Sequence, residues 1–306
     1  MKILSVLSTI RDEEFYIEMA VRSVLDRSYG VYILDTGSTD STLNVIKGLN
    51  SNKIVVEQKN FGGKFRFDMG VWEDDSKPPS GYDEAKARTY AFKRAAEVFP
   101  EHDWVLATDA DEIVTDAMFD EVERAGARQA FQLGHASLCP LTPYTYLNSE
   151  KDRRIIWDTL GVRDIPYSLF DPHTTAWKKN FPVQWTYGKG GFHICPVIPN
   201  AGRMVTTKDV KIHLHYGFGP KAIHGWLCEW TTTVWQFARK HGISLADAEK
   251  QGPYMEKFPD WFINGKFTPK HDLLKSVIER SLPLEIQLPK YVVDKWNEWG
   301  DYELKE

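Results

Sequence analysis

The feature that most constrains the fold is a regular alternation of strand-like and helix-like segments over the first 108 residues. Short apolar runs predict buried strands, and the longer segments between them show helical periodicity. The predicted strands are residues 3–8, 31–34, 54–56 and 104–107. The predicted helices are residues 13–26, 41–47 and 82–99. Alternation of this kind is typical of βαβ units, so we predict an α/β fold with a mainly parallel sheet and helices on both faces.

Composition narrows the class of protein. With 42% hydrophobic residues among 306, the chain can build a sizeable core, and it has no apolar run long enough to span a bilayer. The first residues read as a strand and not as a secretion signal. Cys139, Cys195 and Cys228 form neither a disulfide framework nor a paired metal motif. We therefore expect a cytoplasmic protein without membrane contact.

Charge is unevenly distributed along the chain. The formal net charge of -5 argues against a protein that binds nucleic acid mainly through phosphate contacts. Residues 151–215 nevertheless carry 10 basic and 5 acidic side chains, a local net charge of +5. Weak contact with a polyanion is physically possible there, although a solvated basic face explains the segment as well.

A first candidate site follows the predicted strand 31–34. The residues are Asp35-Thr36-Gly37-Ser38-Thr39-Asp40, and they lead into a predicted helix. Gly37 permits a tight turn, and Ser38 or Asp40 can cap the helix. Asp35 is not needed for the cap, so we predict that its carboxylate accepts hydrogen bonds from a nucleobase or ribose. A plain turn accounts for the segment equally well.

A second candidate site follows the predicted strand 104–107. It is an Asp-x-Asp pattern, Asp109-Ala110-Asp111-Glu112. In extended geometry Asp109 and Asp111 would share a face, and two close carboxylates repel unless a cation lies between them. Mg²⁺ or Mn²⁺ is the expected ion, held by carboxylates and completed by substrate phosphates. The alternative is a solvated acidic loop.

Two histidines, His213 and His215, lie at strand spacing in the sequence Ile212-His213-Leu214-His215. Imidazole is a good ligand for Mn²⁺. We predict His215 as a third protein ligand for the cation, although such a pair can also serve packing alone.

Taken together, these segments resemble the family 2 glycosyltransferases of GT-A fold. The resemblance also rests on Thr9-Ile10-Arg11-Asp12-Glu13-Glu14 and on Ala87-Arg88-Thr89, and it covers roughly the first 115 residues. Beyond them it thins to Gly191-Phe192-His193 and His215-Tyr216-Gly217.

The resemblance implies a nucleotide-diphosphate sugar as donor, most often a UDP-sugar, and inversion at the anomeric carbon by direct displacement. Thr9, Glu13 and Asp35 would hold the nucleoside, Arg88 would lie near the diphosphate, and Asp109 would touch ribose or metal-bound water. The implied donor-binding set is Thr9, Arg11, Glu13, Asp35, Arg88 and Asp109. The predicted metal ligands are Asp109, Asp111 and His215. The predicted catalytic residues are Asp111, Glu112 and His193.

The sequence departs from the family pattern at three positions. Asp12 and Thr89 each stand where the family usually has asparagine, and Ile194 stands where an acidic residue is expected. The last departure removes one possible general base. The attacking hydroxyl must still lose a proton, and the remaining candidates are Glu112, Asp171, His193 and Asp209.

We therefore expect a metal-dependent, hexosyltransferase-like enzyme. The GT-A core would cover residues 1–130, an acceptor-side part with the second metal-ligand strand residues 131–222, and an aromatic-rich helical elaboration residues 223–306. A saccharide acceptor is favoured, and a hydroxylated nucleic-acid base or a protein side chain is possible. The alternatives are a nucleotidyltransferase or a noncatalytic nucleotide-sugar binder. The Gly-rich segment 187–191 is expected to be a hairpin or a mobile lid.

Overall fold

A computed structural model describes part of the 306-residue chain, and its residues fall into two compact units. The described residues are 1–61, 84–125, 130–138, 145–147, 173–181, 183–187, 194–197, 206–213, 242–243, 282–283 and 289–303. The first unit contains the described residues up to 135 together with those from 173 to 212. The second contains 136–138, 145–147 and the described residues from 213 onward.

Four parallel strands form the centre of the first unit. They are β1 (Ile3–Ile10), β2 (Gly30–Asp35), β3 (Ile54–Gln58) and β4 (Trp104–Thr108). Their spatial order is β3-β2-β1-β4, and every neighbouring pair is parallel. The connecting helices are α1 (Ile17–Leu25), α2 (Thr42–Gly48) and α3 (Glu84–Val98). The predicted α/β fold with a mainly parallel central sheet is confirmed.

Helices cover both faces of this sheet. Ile3 and Leu7 of β1 belong to the same buried cluster as residues of α1 and α2, whereas Leu4 and Val6 cluster with Ala91 of α3. Because side chains alternate along a strand, β1 supplies both layers of the core. Burial of β1, β2 and β4 on both faces explains why their sequences are continuous apolar runs and not alternating ones.

An antiparallel edge extends the sheet beyond β4. The elements that follow are β5 (Glu112–Val114), α4 (Asp116–Glu123), β6 (Ala130–Leu138), β7 (Thr145–Leu147), β8 (His173–Lys178), β9 (Gln184–Tyr187), β10 (Ile194–Val197) and β11 (Thr206–His213). Strand β8 pairs antiparallel with β4 and with the first half of β6. Strands β9 and β10 pair antiparallel and are called the β9–β10 hairpin below. The Gly-rich residues 188–191 between them lie outside the described residues, so the expected hairpin or lid there stays a prediction. Strand β11 pairs with β5 and β6.

The second unit is described only in part. The end of β6 pairs with β7, and β7 pairs with β12 (Leu282–Pro283). Helix α5 (Lys290–Glu303) buries Val292. The predicted aromatic-rich elaboration lies largely outside the described residues, and the three-part domain division stays a prediction. None of the helices that the structure describes is long and apolar enough to cross a bilayer.

The main change from the predicted boundaries lies between β1 and α1. Strand β1 continues to Ile10, and α1 begins at Ile17 and not at Glu13. Residues 13–16 form a turn, in which the amides of Tyr16 and Ile17 donate to the Glu13 carbonyl. The amides of residues 12–14 donate to side chains of the segment after β2, and this removes them from any helix.

Candidate functional site

The candidate site lies where the order of the parallel strands reverses. From β1 the chain runs outward to β2 and β3, and it then crosses to β4 on the other side of β1. The helices that follow these strands pack on opposite faces of the sheet. Open α/β sheets bind ligands at such a point, in the crevice beyond the carboxyl ends of the strands, and four of the predicted site residues, Thr9, Asp35, Arg88 and Asp109, lie at this end of the sheet.

Arg88 is the centre of this edge. It projects from α3, and its Nη1 donates to Oδ1 of Asp109 over 2.9 Å and to Oγ of Ser8 over 3.2 Å. Its Nε donates to Oε1 of Glu84 over 2.7 Å, one helical turn away. The side chain is only 14% exposed. Three elements are thereby joined through one guanidinium: α3, the end of β1 and the residue after β4.

Arg88 is charged, and only two of its three guanidinium nitrogens donate to described residues. Burial opposes its ionisation, but the carboxylates of Asp109 and Glu84 outweigh that effect and raise its pKa. Nε and Nη1 use all their hydrogens in the contacts above. Nη2 makes no hydrogen bond to any residue that the structure describes. Two guanidinium donors therefore remain for an anion, which agrees with the predicted place of Arg88 near a diphosphate.

The acidic segment after β4 is a turn, so the extended geometry predicted for Asp109 and Asp111 is wrong. The Glu112 amide donates to the Asp109 carbonyl over 3.3 Å, which closes the turn. Ala110 in its middle is 5% exposed and packs into the core. The chain therefore reverses between the two aspartates. The buried methyl group of Ala110 and the carboxylate of Glu112 hold it in this shape.

Glu112 has a structural part in this turn. The residue is 3% exposed, and its Oε2 accepts from the Asp109 amide over 2.8 Å and from Oγ1 of Thr108 over 3.1 Å. These two bonds tie the carboxylate to the backbone and the side chain at the end of β4. Its role as a general base stays a prediction, and these contacts favour a role in supporting the turn.

Asp109 presents a carboxylate oxygen to the crevice. Its side chain is 40% exposed, and Oδ1 accepts from Arg88. Oδ2 makes no hydrogen bond within the described part of the chain. Asp111 is half-buried in the same turn. An oxygen ligand of this kind suits Mg²⁺ or Mn²⁺, since these ions need only one or two protein carboxylates when substrate phosphates complete the shell. Within the described ranges no group of three acidic, histidine or cysteine side chains could hold a metal by itself.

Asp35 closes the turn after β2, a role that the sequence analysis did not assign to it. Its Oδ1 accepts from the amides of Gly37 over 3.0 Å and Ser38 over 3.1 Å. Gly37 has a φ of +117°, which a side chain would disfavour. Asp35 is fully buried, and its Oδ2 has no hydrogen-bond partner among the residues that can be described. A buried acceptor without a donor costs about 1–3 kcal/mol, which a ligand N–H or O–H would recover.

The segment after β1 and the segment after β2 are bonded to each other. Oδ1 of Asp12 accepts from the Thr39 amide over 2.6 Å, from Oγ1 of Thr39 over 3.2 Å and from the Asp40 amide over 3.3 Å. In return the Asp12 amide donates to Oγ of Ser38 over 2.9 Å. The Glu13 amide donates to Oγ1 of Thr42 over 2.7 Å. These bonds occupy the Ser38 hydroxyl, which was expected to cap α2, whereas Oδ1 of Asp40 accepts from the amide of Thr42, the first residue of α2, over 2.9 Å. The bonds between the two segments fix both predicted nucleoside-binding segments in one arrangement.

The backbone at the end of β1 is strained. Thr9 has a φ of 63° and Asp12 a φ of 54°, both in the left-handed region. For a β-branched residue such as Thr9 this conformation is a clear outlier. The pairing of β1 with β2 is irregular between Leu7 and Ile10, so the strand bulges at this point. Strain of this kind concentrates at binding and catalytic sites.

The remaining predicted residues are placed only in part. Arg11 and Glu13 are half-buried in the turn after β1. His213 ends β11, and Asp209 lies within that strand. His193, His215 and Asp171 lie outside the described residues, so their predicted roles stay predictions.

The basic pair Lys178 and Lys179 lies at the opposite end of the parallel strands from the candidate site, beside the amino end of β4. Lys178 pairs with Trp104, the first residue of β4, whereas Asp109 follows the last. At about 3.3 Å per residue, five residues separate the pair from the acidic turn by roughly 16 Å. Within the part of the basic segment that the structure describes, these lysines do not line the candidate site.

Several residues at this edge had not been identified from the sequence. Glu84 lies four residues before Arg88, a helical ion-pair spacing that could have revealed it. Ser8 gave no signal beyond its place at the end of a predicted strand, and Asp12 was noted only as a departure from the family pattern. Trp185 of β9 lies against Arg88, with 5.2 Å from the guanidinium carbon to the ring centroid, and nothing in the sequence connected the two.

Comparison with known families and with curated proteins gave no match. Among solved structures, the chain is similar to S. aureus TarS, with a TM-score of 0.43 and 16% identity over 96% of this chain and 50% of that one. A structure of TarS 1-349 gives 0.39 and 14%, covering 85% of this chain and 78% of that one. Glucosyl-3-phosphoglycerate synthase from Mycobacterium tuberculosis, in complex with Mn²⁺ and UDP-glucose, gives 0.36 and 14%, covering 69% and 71%.

The chain thus spans half the length of the first of these TarS chains. At such identities and TM-scores the likeness does not identify a substrate or a reaction. The function therefore has to be inferred from the residues at the carboxyl edge of the sheet.

Proposed function

We propose that the protein is a GT-A type glycosyltransferase that moves a sugar from a nucleotide-diphosphate sugar, a UDP-sugar in the first instance, to a hydroxyl acceptor. The observation that carries the proposal is the arrangement around Arg88. Its guanidinium is fixed by Asp109, Ser8 and Glu84, and its two Nη2 hydrogens have no acceptor among the described residues at the switch point of a parallel sheet. A diphosphate is the anion that such a fork suits.

The nucleoside end of the donor has its own support. Asp35 lies on β2, beside β1, and one of its carboxylate oxygens is buried without a donor among the described residues. A nucleobase N–H or a ribose hydroxyl supplies the missing donor. Thr9 lies near the end of the adjacent strand, β1, whose residue Ser8 bonds to Arg88, and the turn containing Arg11 and Glu13 follows that strand.

The metal part of the proposal rests on Asp109 and Asp111. The unbonded Oδ2 of Asp109 faces a partly exposed edge, and its oxygen chemistry fits Mn²⁺ or Mg²⁺. A bound divalent cation would neutralise charge that develops on the diphosphate leaving group. Arg88 would hold the same diphosphate in place through Nη2. His215 as a further ligand rests on the sequence alone.

Direct displacement with inversion would require a base on the far side of the sugar. His193 is our first candidate, because the contacts of Glu112 already support the acidic turn. We favour a saccharide acceptor over nucleic acid, since Lys178 and Lys179 lie at the far edge of the sheet.

The test is release of free nucleoside diphosphate from a panel of nucleotide sugars, with Mn²⁺, with Mg²⁺ and with EDTA. We expect metal-dependent turnover that Arg88→Ala and Asp111→Ala each reduce at least a hundredfold. Arg94→Ala is the matched control. Arg94 lies on the same helix and also pairs with two carboxylates, Glu57 and Glu97, but away from the switch point.

Three results would contradict the proposal. Full activity in EDTA would show that the reaction needs no metal ion. Equal losses in the Arg88 and Arg94 variants would show that Arg88 has no specific role. Tight nucleotide-sugar binding without turnover against any acceptor would favour the noncatalytic binder.

A further inference from the structure

We propose that Trp185 is a positioning residue, which holds the face of the Arg88 guanidinium so that Nη2 points at the donor diphosphate. The inference rests on the proposed function. It adds a residue from β9, far from the Arg88 helix in sequence, to the machinery of the donor site.

The contacts of Arg88 divide between its plane and its face. A guanidinium donates only in its own plane, and there Asp109, Ser8 and Glu84 accept from Nη1 and Nε. These bonds fix the side of the guanidinium that carries Nε and Nη1. The ring of Trp185 lies 5.2 Å from Cζ, a cation–π distance, and so it contacts the face without competing for an in-plane donor.

Trp185 is itself held rigidly. It is 8% exposed, and it stacks on Phe92 of α3 with centroids 5.1 Å apart and an interplanar angle of 14°. Trp177 of β8 completes the cluster, 5.0 Å from Phe92 and 6.3 Å from Trp185. A ring fixed in this way restricts the rotation of any side chain that lies on it.

The ring face of Trp185, and not its N–H, is what this site uses. Its Nε1 is buried and has no hydrogen-bond partner among the described residues. Buried indoles usually find an acceptor for this group. Because no described residue accepts a hydrogen bond from the indole nitrogen, a phenyl ring at position 185 should retain the contact with Arg88 and its function.

The contact also ties the hairpin to the donor site. Strand β9 packs on α3, and its partner β10 begins at Ile194, directly after the Gly-rich segment and His193 in the sequence. Because the only cation–π contact described for Arg88 comes from β9, displacement of the hairpin would release the face of Arg88.

The experiment measures the affinity for UDP with Mn²⁺ by calorimetry, and kcat and KM for the donor sugar. Trp185→Leu should weaken UDP binding about tenfold, as loss of a partly desolvated cation–π contact implies. Trp185→Phe should stay within about threefold of the natural protein. Trp177→Leu is the matched control, because it removes a buried tryptophan of the same cluster that has no described contact with Arg88. It should lower thermal stability as much as Trp185→Leu but weaken UDP binding less than about threefold, because among the described contacts Trp177 reaches Arg88 only through the Trp185 ring.

A double-mutant cycle separates positioning from packing. In an Arg88→Gln background, Trp185→Leu should cause no further loss of affinity, because its effect passes through Arg88. A further tenfold loss there, or equal losses in the Trp185→Leu and Trp177→Leu proteins, would overturn the inference. If the natural protein binds no nucleoside diphosphate at all, the proposed function fails first and this inference with it.

Discussion

The bond network around Asp12 allows the sharpest prediction about this fold. Its carboxylate accepts from two backbone amides and one hydroxyl of the segment after β2, across 27 residues of sequence in the shortest contact. A hydrogen bond to a charged acceptor is worth about 1.5–3 kcal/mol, and partial exposure reduces this. We take the 2.6 Å bond from the Thr39 amide as the main contribution. We therefore expect Asp12→Ala to lower the free energy of unfolding by about 2 kcal/mol.

Asp12→Asn isolates the charge. The amide oxygen of asparagine can still accept from Thr39, so the loss should be smaller, about 1 kcal/mol. The same change introduces asparagine, the residue that the family 2 glycosyltransferases, which this sequence resembles, usually have at this position. Both variants should also weaken donor binding, because the two nucleoside-binding segments lose their connection. Urea unfolding with unchanged slope, together with calorimetry of nucleotide binding, measures the two effects.

The pH dependence provides an independent check. Burial of Asp12 opposes ionisation, but the amides of Thr39 and Asp40 outweigh it and lower its pKa from the ordinary 3.8. The folded state therefore binds the proton less tightly than the unfolded state does. The contribution is complete above pH 3.8 and is lost as the pH falls through the lowered folded value. Asp12→Asn should lack this part of the acid dependence. Equal stability of natural and Asn proteins, with the same acid profile, would refute the reasoning.

Three further predictions concern Asp35, Thr9 and the pair Lys178 and Lys179. Asp35→Asn keeps the acceptor that closes the turn and places an NH₂ donor where the N–H or O–H of the ligand needs an acceptor, so it should raise the donor KM about tenfold and change kcat little. Equal losses in kcat and kcat/KM would place Asp35 at the reacting centre. Thr9→Gly should raise the free energy of unfolding by about 1 kcal/mol, because it relieves strain of about 1–3 kcal/mol at some cost in chain entropy; a lower thermal midpoint would show that the conformation is not strained. Reversing Lys178 and Lys179 to Glu should leave donor turnover and acceptor transfer unchanged at all salt concentrations, and a selective loss with a DNA acceptor would return nucleic acid to consideration.

The placement of the site could be predicted from the sequence, because it depends on strand direction alone. Asp35 and Asp109 each follow an apolar run, and parallel strands bring their carboxyl ends to one edge. The helical position of Arg88 follows from periodicity in the same way. These inferences need no knowledge of which side chains touch.

The contacts within the site could not be predicted, since they depend on partners far apart in the chain. The extended geometry expected for Asp109 and Asp111 was wrong because the Glu112 carboxylate turns back to the Asp109 amide. That choice is made by burial of Ala110 in the core, which local propensity does not register. The indole on Arg88 comes from another strand, and only the packing of β9 on α3 brings it there.

Asp109 has two functions in this arrangement, and this decides how its variants should be read. One oxygen fixes Arg88, and the other is open to the crevice. Asp109→Ala would remove both, so loss of activity would not distinguish a metal ligand from a support for Arg88. Asp109→Asn keeps an acceptor for Nη1 of Arg88 but weakens the binding of a divalent ion. Asp111→Asn changes a residue that has no described contact with Arg88. If Asp109 acts mainly through the metal, both asparagine variants should show a similar fall in Mn²⁺ affinity with UDP affinity in EDTA preserved. If it acts mainly through Arg88, Asp109→Asn alone should lower UDP affinity in EDTA, because the partner that fixes the guanidinium has lost its charge.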